Sequence, residues 1–423
     1  MKKYLLITAS ILTLCPTTSH AAGFFIQEQS VSGLGSAFAG ETAVARDAST
    51  IFFNPAALTQ LKQREVQFGT HFLLPTSKLT NAGSTATVAG VPSAIAGTDT
   101  NNPYKLSPVP NFYAAMPFMN NDLWIGYGLS APFGLANNYD QTVFSRYDST
   151  KTHLKAINHS LVAAYKANDM ISIGGGLDIQ QAKAKLNRNA LVTRVGPVLV
   201  DAETSLKGDD ISVGWNAGVL IKPREDINIG LHYRSAIDHT LKGDVRTGTP
   251  FGATSVAGTA DLNLPDIASL GVAWDVTPAW KLMAGTTWFG WSNFEEIRVK
   301  RAGQPDDVTT QGYKNTLAFN AGGEYKYSDD WTLRAGVQYD PTPTVDEFRS
   351  SRTPDGDRTW VSIGGTHQIN KNLSLDLAAT QIFISDETIN VTRAGALPAR
   401  STNIRAETEG SVSIVGVALK YRF

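Results

Sequence analysis

The sequence predicts an all-β transmembrane fold: an antiparallel barrel of about fourteen strands whose lumen holds an N-terminal plug. Three observations predict it. Several segments alternate apolar and polar residues with a period of two, and tight polar turns recur roughly every fifty residues. A short Gly-rich segment, Ser32 to Gly40, separates a signal peptide from the first such strand. The chain therefore reads as signal, plug and barrel, in that order.

We assign residues 1–21 to a secretory signal peptide. Lys2 and Lys3 form its basic start, an apolar run follows over residues 4–14, and Ser19-His20-Ala21 supplies small residues for cleavage. The apolar run is too short to span a bilayer. Cys15 is the only cysteine and falls within the signal. We therefore expect the mature chain to have no disulfide and no cysteine metal site.

Composition narrows the class of protein. A chain of 423 residues has room for several soluble domains or for one large barrel. Its formal net charge of -1 argues against nucleic acid as a partner, since nucleic-acid-binding proteins carry a basic excess. No stretch after the signal approaches 18 continuous apolar residues, so we predict no helical span. A soluble secreted β-protein would fit the composition, but the alternation argues against it.

Residues 22–62, called the hatch below, follow the signal and are too short to form a domain. A barrel of about fourteen strands encloses a lumen that strand side chains alone do not fill. The hatch is the segment available to fill it. Within it, Asn54-Pro55-Ala56 predicts a turn, because Asn caps its own backbone and Pro fixes φ.

The barrel is predicted over residues 63–423. Its last strand puts one apolar face on the outside, formed by Val415, Val417, Leu419, Tyr421 and Phe423. The same alternation runs through residues 211–221, 227–233 and 316–327. In a transmembrane barrel the apolar set faces lipid and the polar set faces the lumen. The terminal Phe resembles the assembly signal of bacterial outer-membrane barrels, so we expect the barrel-assembly machinery as a partner.

Turns predict the strand count. Six polar turns are each followed at once by a strand: Asn121-Asp122, Asn168-Asp169, Glu225-Asp226, Thr277-Pro278, Asp329-Asp330 and Lys371-Asn372. Two strands and one outer loop separate successive turns, so six turns imply about twelve strands, and one more at each end makes about fourteen. Bacterial barrels have an even number, with short turns on the periplasmic side and long loops outside.

Taken together, these elements resemble the FadL-type family of outer-membrane transporters for long-chain fatty acids and hydrocarbons, over the whole mature chain. The most specific pieces are Ser32-Gly33-Leu34-Gly35, Asn54-Pro55-Ala56, Gly214-Trp215-Asn216-Ala217-Gly218, Leu262-Asn263-Leu264-Pro265-Asp266 and Asp357-Arg358 before Trp360. The resemblance implies a fourteen-stranded barrel with a hatch, and ligand release sideways into the membrane through a gap beside a kinked third strand.

A candidate for that kink lies in the third strand, at Pro132-Phe133-Gly134. Pro132 has no N–H to donate to a sheet ladder, and a glycine such as Gly134 often marks a bulge. Gly134 also matches the position of the family's kink glycine. We predict the lateral exit here; the alternative is an ordinary strand end at the outer loop.

The resemblance also suggests ligand-binding residues. Arg188 matches a basic residue that lines the family's ligand pocket, and Phe24 matches a hatch aromatic beside it. A guanidinium holds a carboxylate through two hydrogen bonds; the alternative for Arg188 is a contact with lipid phosphate at the rim. Arg234, on the lumen face, is a second candidate partner for a carboxylate, or else it bonds hatch backbone.

Two further features are predicted to act on a ligand. Asn54, Pro55 and Ala56 form either a gate that moves as ligand passes or a rigid fold-back, and we favour a mixture of both. Apolar segments at residues 88–92 and 190–200 fall in predicted outer loops. These segments are expected to capture a hydrophobic ligand or to pack against each other as a cap of loops, and the two roles are compatible.

Other functional classes fit less well. An enzyme would need a catalytic constellation, and His232 with Asp238, or His153 with His159, comes with no nucleophile elbow or metal spacing. We therefore predict no enzyme, no cofactor and no metal. A general porin would lack the hatch, and an adhesin or surface antigen would have no use for one.

The predicted function is thus passive uptake of hydrophobic molecules, with long-chain fatty acids ahead of aromatic or aliphatic hydrocarbons. The expected setting is a monomer in the bacterial outer membrane, in contact with membrane lipid and lipopolysaccharide.

Overall fold

A computed structural model describes residues 23–249 and 252–423, and its strands form one antiparallel sheet. The strands are β1 Glu65–Asn81, β2 Thr85–Val88, β3 Val91–Ala94, β4 Ser107–Phe118, β5 Leu123–Asn138, β6 Lys151–Lys166, β7 Ile171–Val195, β8 Val198–Arg224, β9 Ile227–Arg234, β10 Ile237–Thr249, β11 Gly252–Leu264, β12 Ile267–Asp275, β13 Trp280–Phe289, β14 Glu296–Arg301, β15 Gln304–Thr310, β16 Thr316–Lys326, β17 Trp331–Asp340, β18 Arg358–Gln368, β19 Leu373–Ala394 and β20 Arg400–Arg422.

Fourteen of these strands close into a barrel, as the sequence predicts. The ring closes because β20 pairs with β1, from Glu65 opposite Arg422 to Asn81 opposite Ala406. The other strands form three hairpins, β2–β3, β10–β11 and β14–β15, at the outer end of the barrel. All six predicted tight turns are confirmed, because each joins two neighbouring barrel strands.

Side-chain burial alternates along the barrel strands as the sequence pattern predicts. On β20, Val415, Leu419 and Tyr421 are exposed on the outer face, whereas Ile414 and Ala418 are buried towards the lumen. A matching apolar row covers the outside of β8 at Ile211, Val213 and Trp215. Lipid rather than water is the solvent that such a continuous apolar face requires. No helix in the described part of the chain is long and apolar enough to cross a membrane.

The sequence prediction was wrong about the third outer loop. Residues 190–200 are not a loop: β7 runs to Val195 and β8 begins at Val198, so the two strands form a hairpin that projects from the barrel. Pairing satisfies the backbone groups of this hairpin, and Gly196 at its tip takes a φ of 59°. Val195 and Val198 are nevertheless exposed.

The segment before β1 lies inside the barrel. It contains the short helices α1 Val31–Leu34 and α2 Thr50–Phe53 and the 3₁₀ helices Glu41–Ala43 and Pro55–Gln60. Helix α1 packs on β18, β19 and β20, whereas Pro55–Gln60 packs on β6, β7 and β8. A segment that contacts opposite walls must occupy the lumen, and its residues are almost all buried.

Buried charges tie the hatch to the wall. Lys420 on β20 lies 2.8 Å from Asp376 on β19 and 3.4 Å from Asp47 of the hatch. Arg46 of the hatch pairs with Glu41 and with Glu324 on β16. Because these groups are removed from water, each needs its partner to remain in place.

Two wall glycines let the hatch backbone approach the sheet closely. A Cβ on Gly230 would lie 1.9 Å from the carbonyl oxygen of Thr42, and one on Gly336 would lie 2.0 Å from that of Ser36. Any larger residue at these positions would force the hatch away from the wall.

Candidate functional site

The barrel wall is interrupted between β4 and β5. These strands pair only from Phe118 opposite Leu123 to Phe112 opposite Leu129. Beyond Leu129, β5 continues to Asn138 but pairs only with β6, and its register shifts between Ser130 and Phe133. Pro132 lies in that shifted stretch. The pairing of β5 is interrupted here for the reason expected from the sequence. Pro132 has no N–H to donate, and the register shift inserts an extra residue that bends the strand.

The hatch closes this gap with its own first residues. Ile26 N–H donates to the Pro132 carbonyl at 2.8 Å, and Gly134 N–H donates to the Phe24 carbonyl at 3.0 Å. The Gln29 side chain exchanges two hydrogen bonds with the backbone of Ala131, at 3.0 and 3.1 Å. Residues 24–29, called the gap strand below, thus occupy the place that β4 leaves empty.

The residue before the gap strand is held by Asp355 and Arg358, at the outer start of β18. Gly23 N–H donates to the carboxylate of Asp355 at 2.8 Å, and Arg358 donates to the Gly23 carbonyl at 2.9 Å. Arg358 and Asp355 also pair with each other at 2.7 Å. The family-like Asp357-Arg358 motif therefore lies at this clamp, although the sequence alone did not identify Gly23 as its partner.

Phe24 is the hub of an aromatic cluster at the gap. Its ring centroid lies 4.9 Å from that of Trp291, 5.3 Å from Phe294 and 6.1 Å from Phe133. Phe25 also contacts Phe133, with centroids 5.4 Å apart. The structure thus brings together four predicted site residues. Phe24 and Phe133 are in contact, and Pro132 and Gly134 are hydrogen-bonded to the backbone of the gap strand. Edge-to-face packing of this kind holds the gap strand by weak contacts that can be broken and remade.

A cavity of about 460 Å³ opens at the gap. Apolar residues line most of it, among them Leu73, Val109, Leu129 and Ile382, while His153 and Lys155 lie at its outer mouth. A volume of this size is typical of small-molecule sites. Glu28 of the gap strand also lines it and is buried.

A second, apolar cavity lies beside the first in the outer part of the lumen. Phe24, Leu135 and Leu154 line both cavities, so these side chains form the partition between them. The remaining wall of the second cavity is mainly aliphatic, with Ala184, Leu206, Leu241 and Leu262.

A third, charged cavity lies on the outer side of the second, and Leu186, Leu206, Ile297, Gln311 and Arg352 line both. Arg188 lies in the third cavity, where it makes two hydrogen bonds to Asp307 at 2.8 and 3.0 Å. Arg393 pairs with Asp148 at 2.6 Å. Two of the arginines here are therefore already neutralised by carboxylates of the chain.

Arg352 is different. Its guanidinium donates to the Thr152 hydroxyl at 3.0 Å and to backbone carbonyls, and within residues 23–249 and 252–423 it forms no ion pair with a carboxylate. Burial lowers the pKa of Arg352 to about 10, so the group stays cationic at neutral pH. Sequence reasoning missed this residue, because nothing in its neighbourhood marks it apart from other loop arginines.

The other predicted residues lie away from these cavities. Arg234 pairs with Asp178 and donates to the Phe52 carbonyl of the hatch at 3.0 Å. Asn54 accepts a hydrogen bond from Ala56 N–H at 3.1 Å and donates to the carbonyls of Thr42 and Val219. These contacts describe a fixed fold-back, and the gating and ligand-binding roles of both residues stay predictions. No His, Cys, Asp and Glu group suited to a metal occurs among the described residues.

Comparison with known proteins gives a consistent result. A family profile described as "Outer membrane protein transport protein (OMPP1/FadL/TodX)" matches residues 12–423. The chain is 29% identical to the long-chain fatty acid transport protein of Escherichia coli O6:H1, over 98% of this chain and 97% of that protein. It is 30% identical to outer membrane protein P1 of Haemophilus influenzae Rd, over the full length of both.

Solved structures are similar in fold. A FadL homologue from Pseudomonas aeruginosa superposes with a TM-score of 0.86 at 24% identity, covering 95% of this chain and all of that one. The toluene transporter TodX of Pseudomonas putida superposes with a TM-score of 0.69 at 16% identity, covering 95% and 99%. At these identities the likeness concerns the barrel architecture alone.

Proposed function

The chain belongs to the OMPP1/FadL/TodX family of outer-membrane transport proteins, and from that premise we propose that it takes up long-chain fatty acids. As a family member it is a transporter of hydrophobic compounds and not an enzyme. Uptake is passive: partition into the membrane and consumption inside the cell supply the driving force.

One observation supports this proposal above all others: the three cavities form a chain. The charged cavity shares Arg352 and aliphatic residues with the apolar one, and the apolar one shares Phe24, Leu135 and Leu154 with the gap cavity. A fatty acid has the matching order of groups, a carboxylate followed by a long apolar tail. In this proposal the carboxylate rests at Arg352, the tail passes through the apolar cavity of about 50 Å³ into the gap cavity of about 460 Å³, and the molecule leaves through the gap.

A lateral exit avoids the free-energy cost of exposing the acyl chain to water. A route along the barrel axis would deliver the acyl chain to water in the periplasm, at about 0.8 kcal/mol for each exposed methylene. The gap between β4 and β5 leads instead into the bilayer. The gap strand must move for this to happen. It is held to β5 by two backbone hydrogen bonds, at Pro132 and Gly134, and by the two hydrogen bonds between the Gln29 side chain and Ala131.

A hydrocarbon is the alternative ligand, because the apolar and gap cavities suit it equally. Arg352 forms no ion pair with any residue that the structure describes, and this favours an acid, since a hydrocarbon offers the guanidinium nothing in return for its lost hydration. Relatives and structural neighbours of both kinds occur, so the test must offer both ligands.

We expect this chain to restore oleate uptake in a host from which its own fatty acid transporter has been deleted. The measurement is accumulation of radiolabelled oleate, with surface expression checked in parallel and toluene accumulation measured in the same cells. Good expression without oleate uptake would contradict the fatty acid assignment. Toluene uptake in that situation would support the hydrocarbon alternative.

Arg352→Gln is expected to weaken oleate binding about tenfold, the effect of losing one hydrogen bond between charged groups. Uptake of methyl oleate, which has no carboxylate, should be unchanged. The matched control is the double variant Arg188→Gln/Asp307→Asn, which removes an ion pair from the same cavity without changing its net charge. If the double variant loses oleate binding and Arg352→Gln does not, Arg188 is the anchor instead.

A further inference from the structure

A cluster of lysines lies on the outer surface of the barrel, where the strands leave the apolar belt. It consists of Lys155 on β6, Lys183 and Lys185 on β7, Lys207 on β8 and Lys242 on β10, and is called the lysine patch below. Four of the five side chains are exposed, and Lys185 is half-buried. They point away from the lumen, because the alternate residues Ala182, Ala184 and Leu206 line the inner face.

The sheet register sets like charges side by side in this patch. Lys155 lies directly opposite Lys183, and Lys185 lies directly opposite both His153 on one side and Lys207 on the other. Like charges directly opposite each other destabilise a sheet. Such an arrangement is expected where an anion outside the protein compensates for the repulsion.

The carboxylates that face the patch do not neutralise it. Asp209 lies opposite Lys183 and Lys242, and Asp244 lies opposite Lys207. Two acids thus face five lysines, and within the described part of the chain none of the five forms an ion pair. The patch keeps a net positive charge that is open to the outside.

The height of the patch on the barrel indicates the kind of anion. The next outward-facing row towards the periplasm contains Ile157, Gln181 and Ile211, followed by Ile179 beside Val213. Two residues along a strand span about 7 Å, so the lysines begin directly above the lipid-facing surface. The long β7–β8 hairpin places this rim on the extracellular side, at the level of the lipid head groups of the outer leaflet.

We propose that the lysine patch binds a phosphorylated glycolipid of the outer leaflet, with the lipid A portion of lipopolysaccharide as its occupant. The phosphates lie against Lys155, Lys183, Lys185 and Lys207, and the acyl chains lie on the apolar rows around Ile211 and Val213. Lysine recognises phosphate as a compact point charge and needs no bidentate geometry. Lys155 also borders the gap cavity, whereas the other four lysines line none of the three cavities described above, so the site does not depend on which ligand is transported.

The test uses the full chain in lipopolysaccharide-free detergent and measures bound lipid by native mass spectrometry. Three additions are compared with the wild type: bisphosphorylated lipid A, fully dephosphorylated lipid A, and inorganic phosphate. We expect lipid A to bind at least about tenfold more tightly than its dephosphorylated form, since several charge-assisted contacts are lost together. Equal binding of the two lipids would overturn the proposal, and so would displacement of lipid A by millimolar inorganic phosphate alone.

Variants locate the site. The quadruple variant Lys155→Gln/Lys183→Gln/Lys185→Gln/Lys207→Gln should lose this preference for the phosphorylated lipid. The control Lys62→Gln/Lys222→Gln/Lys326→Gln/Lys371→Gln removes the same number of charges near the periplasmic turns and should keep it. An unchanged preference in the patch variant, or an equal loss in the control, would overturn the assignment. The wild-type comparison of the two lipids stays decisive if the patch variant does not fold.

Discussion

Oxidation of the double variant Phe25→Cys/Phe133→Cys is expected to reduce uptake at least about tenfold, and reduction is expected to restore it. The two positions face each other across the gap as an isolated antiparallel bridge. The flanking hydrogen bonds, Ile26 to Pro132 and Gly134 to Phe24, identify this as a non-hydrogen-bonded pair. The Cα atoms of such a pair lie about 4.5 Å apart, within reach of a disulfide.

The disulfide prevents the movement of the gap strand that the proposed exit requires. A disulfide joins the gap strand to β5 covalently, so the gap stays closed whatever ligand occupies the lumen. Cys15 falls within the predicted signal peptide, so the engineered pair should be the only thiols of the mature chain. Two aromatic rings are lost in the variant, and its reduced form therefore serves as the baseline. Each single variant should be insensitive to the oxidant.

Thiol labelling verifies that disulfide formation is complete. If uptake then proceeds at the same rate as before oxidation, transport does not require movement of the gap strand. Binding of oleate to the locked protein separates two ways of failing. Retained binding with lost uptake places the block at the exit, as proposed. Loss of both would mean that the gap strand also admits ligand to the lumenal cavities.

The barrel was predictable because its rules are local. Each strand must present apolar residues to lipid at every second position, and each periplasmic turn needs polar residues that satisfy their own backbone, as at Asn168-Asp169. The outer hairpins were harder to predict from the sequence. Residues 190–200 carry apolar side chains on both faces, and Val195 and Val198 are exposed beyond the barrel, so the period of two is lost there.

The site was predictable in part, for the same reason. Pro132 breaks a ladder through its own chemistry, and this is visible in sequence. The sequence does not show which segment fills the break, because Ile26 and Pro132 are far apart along the chain and the gap strand has no alternation of its own. Arg188 and Arg352 likewise look equivalent as sequence, and only the fold shows that Asp307 neutralises one of them.

Lys420→Met is expected to loosen the hatch and to let small sugars pass through the barrel. Lys420 lies between Asp376 on the wall and Asp47 in the hatch, and all three side chains are at most 2% exposed. Arg334 remains 3.8 Å from Asp376 after the substitution, so the uncompensated charge falls on Asp47. Removing one partner of a buried ion pair costs about 3–5 kcal/mol, and the hatch can avoid this cost by moving Asp47 towards water.

Liposome swelling in small sugars measures the effect: the wild type should be sealed and Lys420→Met should leak. Lys326→Met is the matched control, because its pair with Asp329 is 3.0 Å long but exposed at a periplasmic turn, where such pairs are worth at most about 1 kcal/mol. The double variant Asp47→Asn/Lys420→Met removes the uncompensated charge at position 47 and should regain most of the seal. If Lys420→Met stays sealed, packing alone holds the hatch, through close approaches such as Thr42 against Gly230.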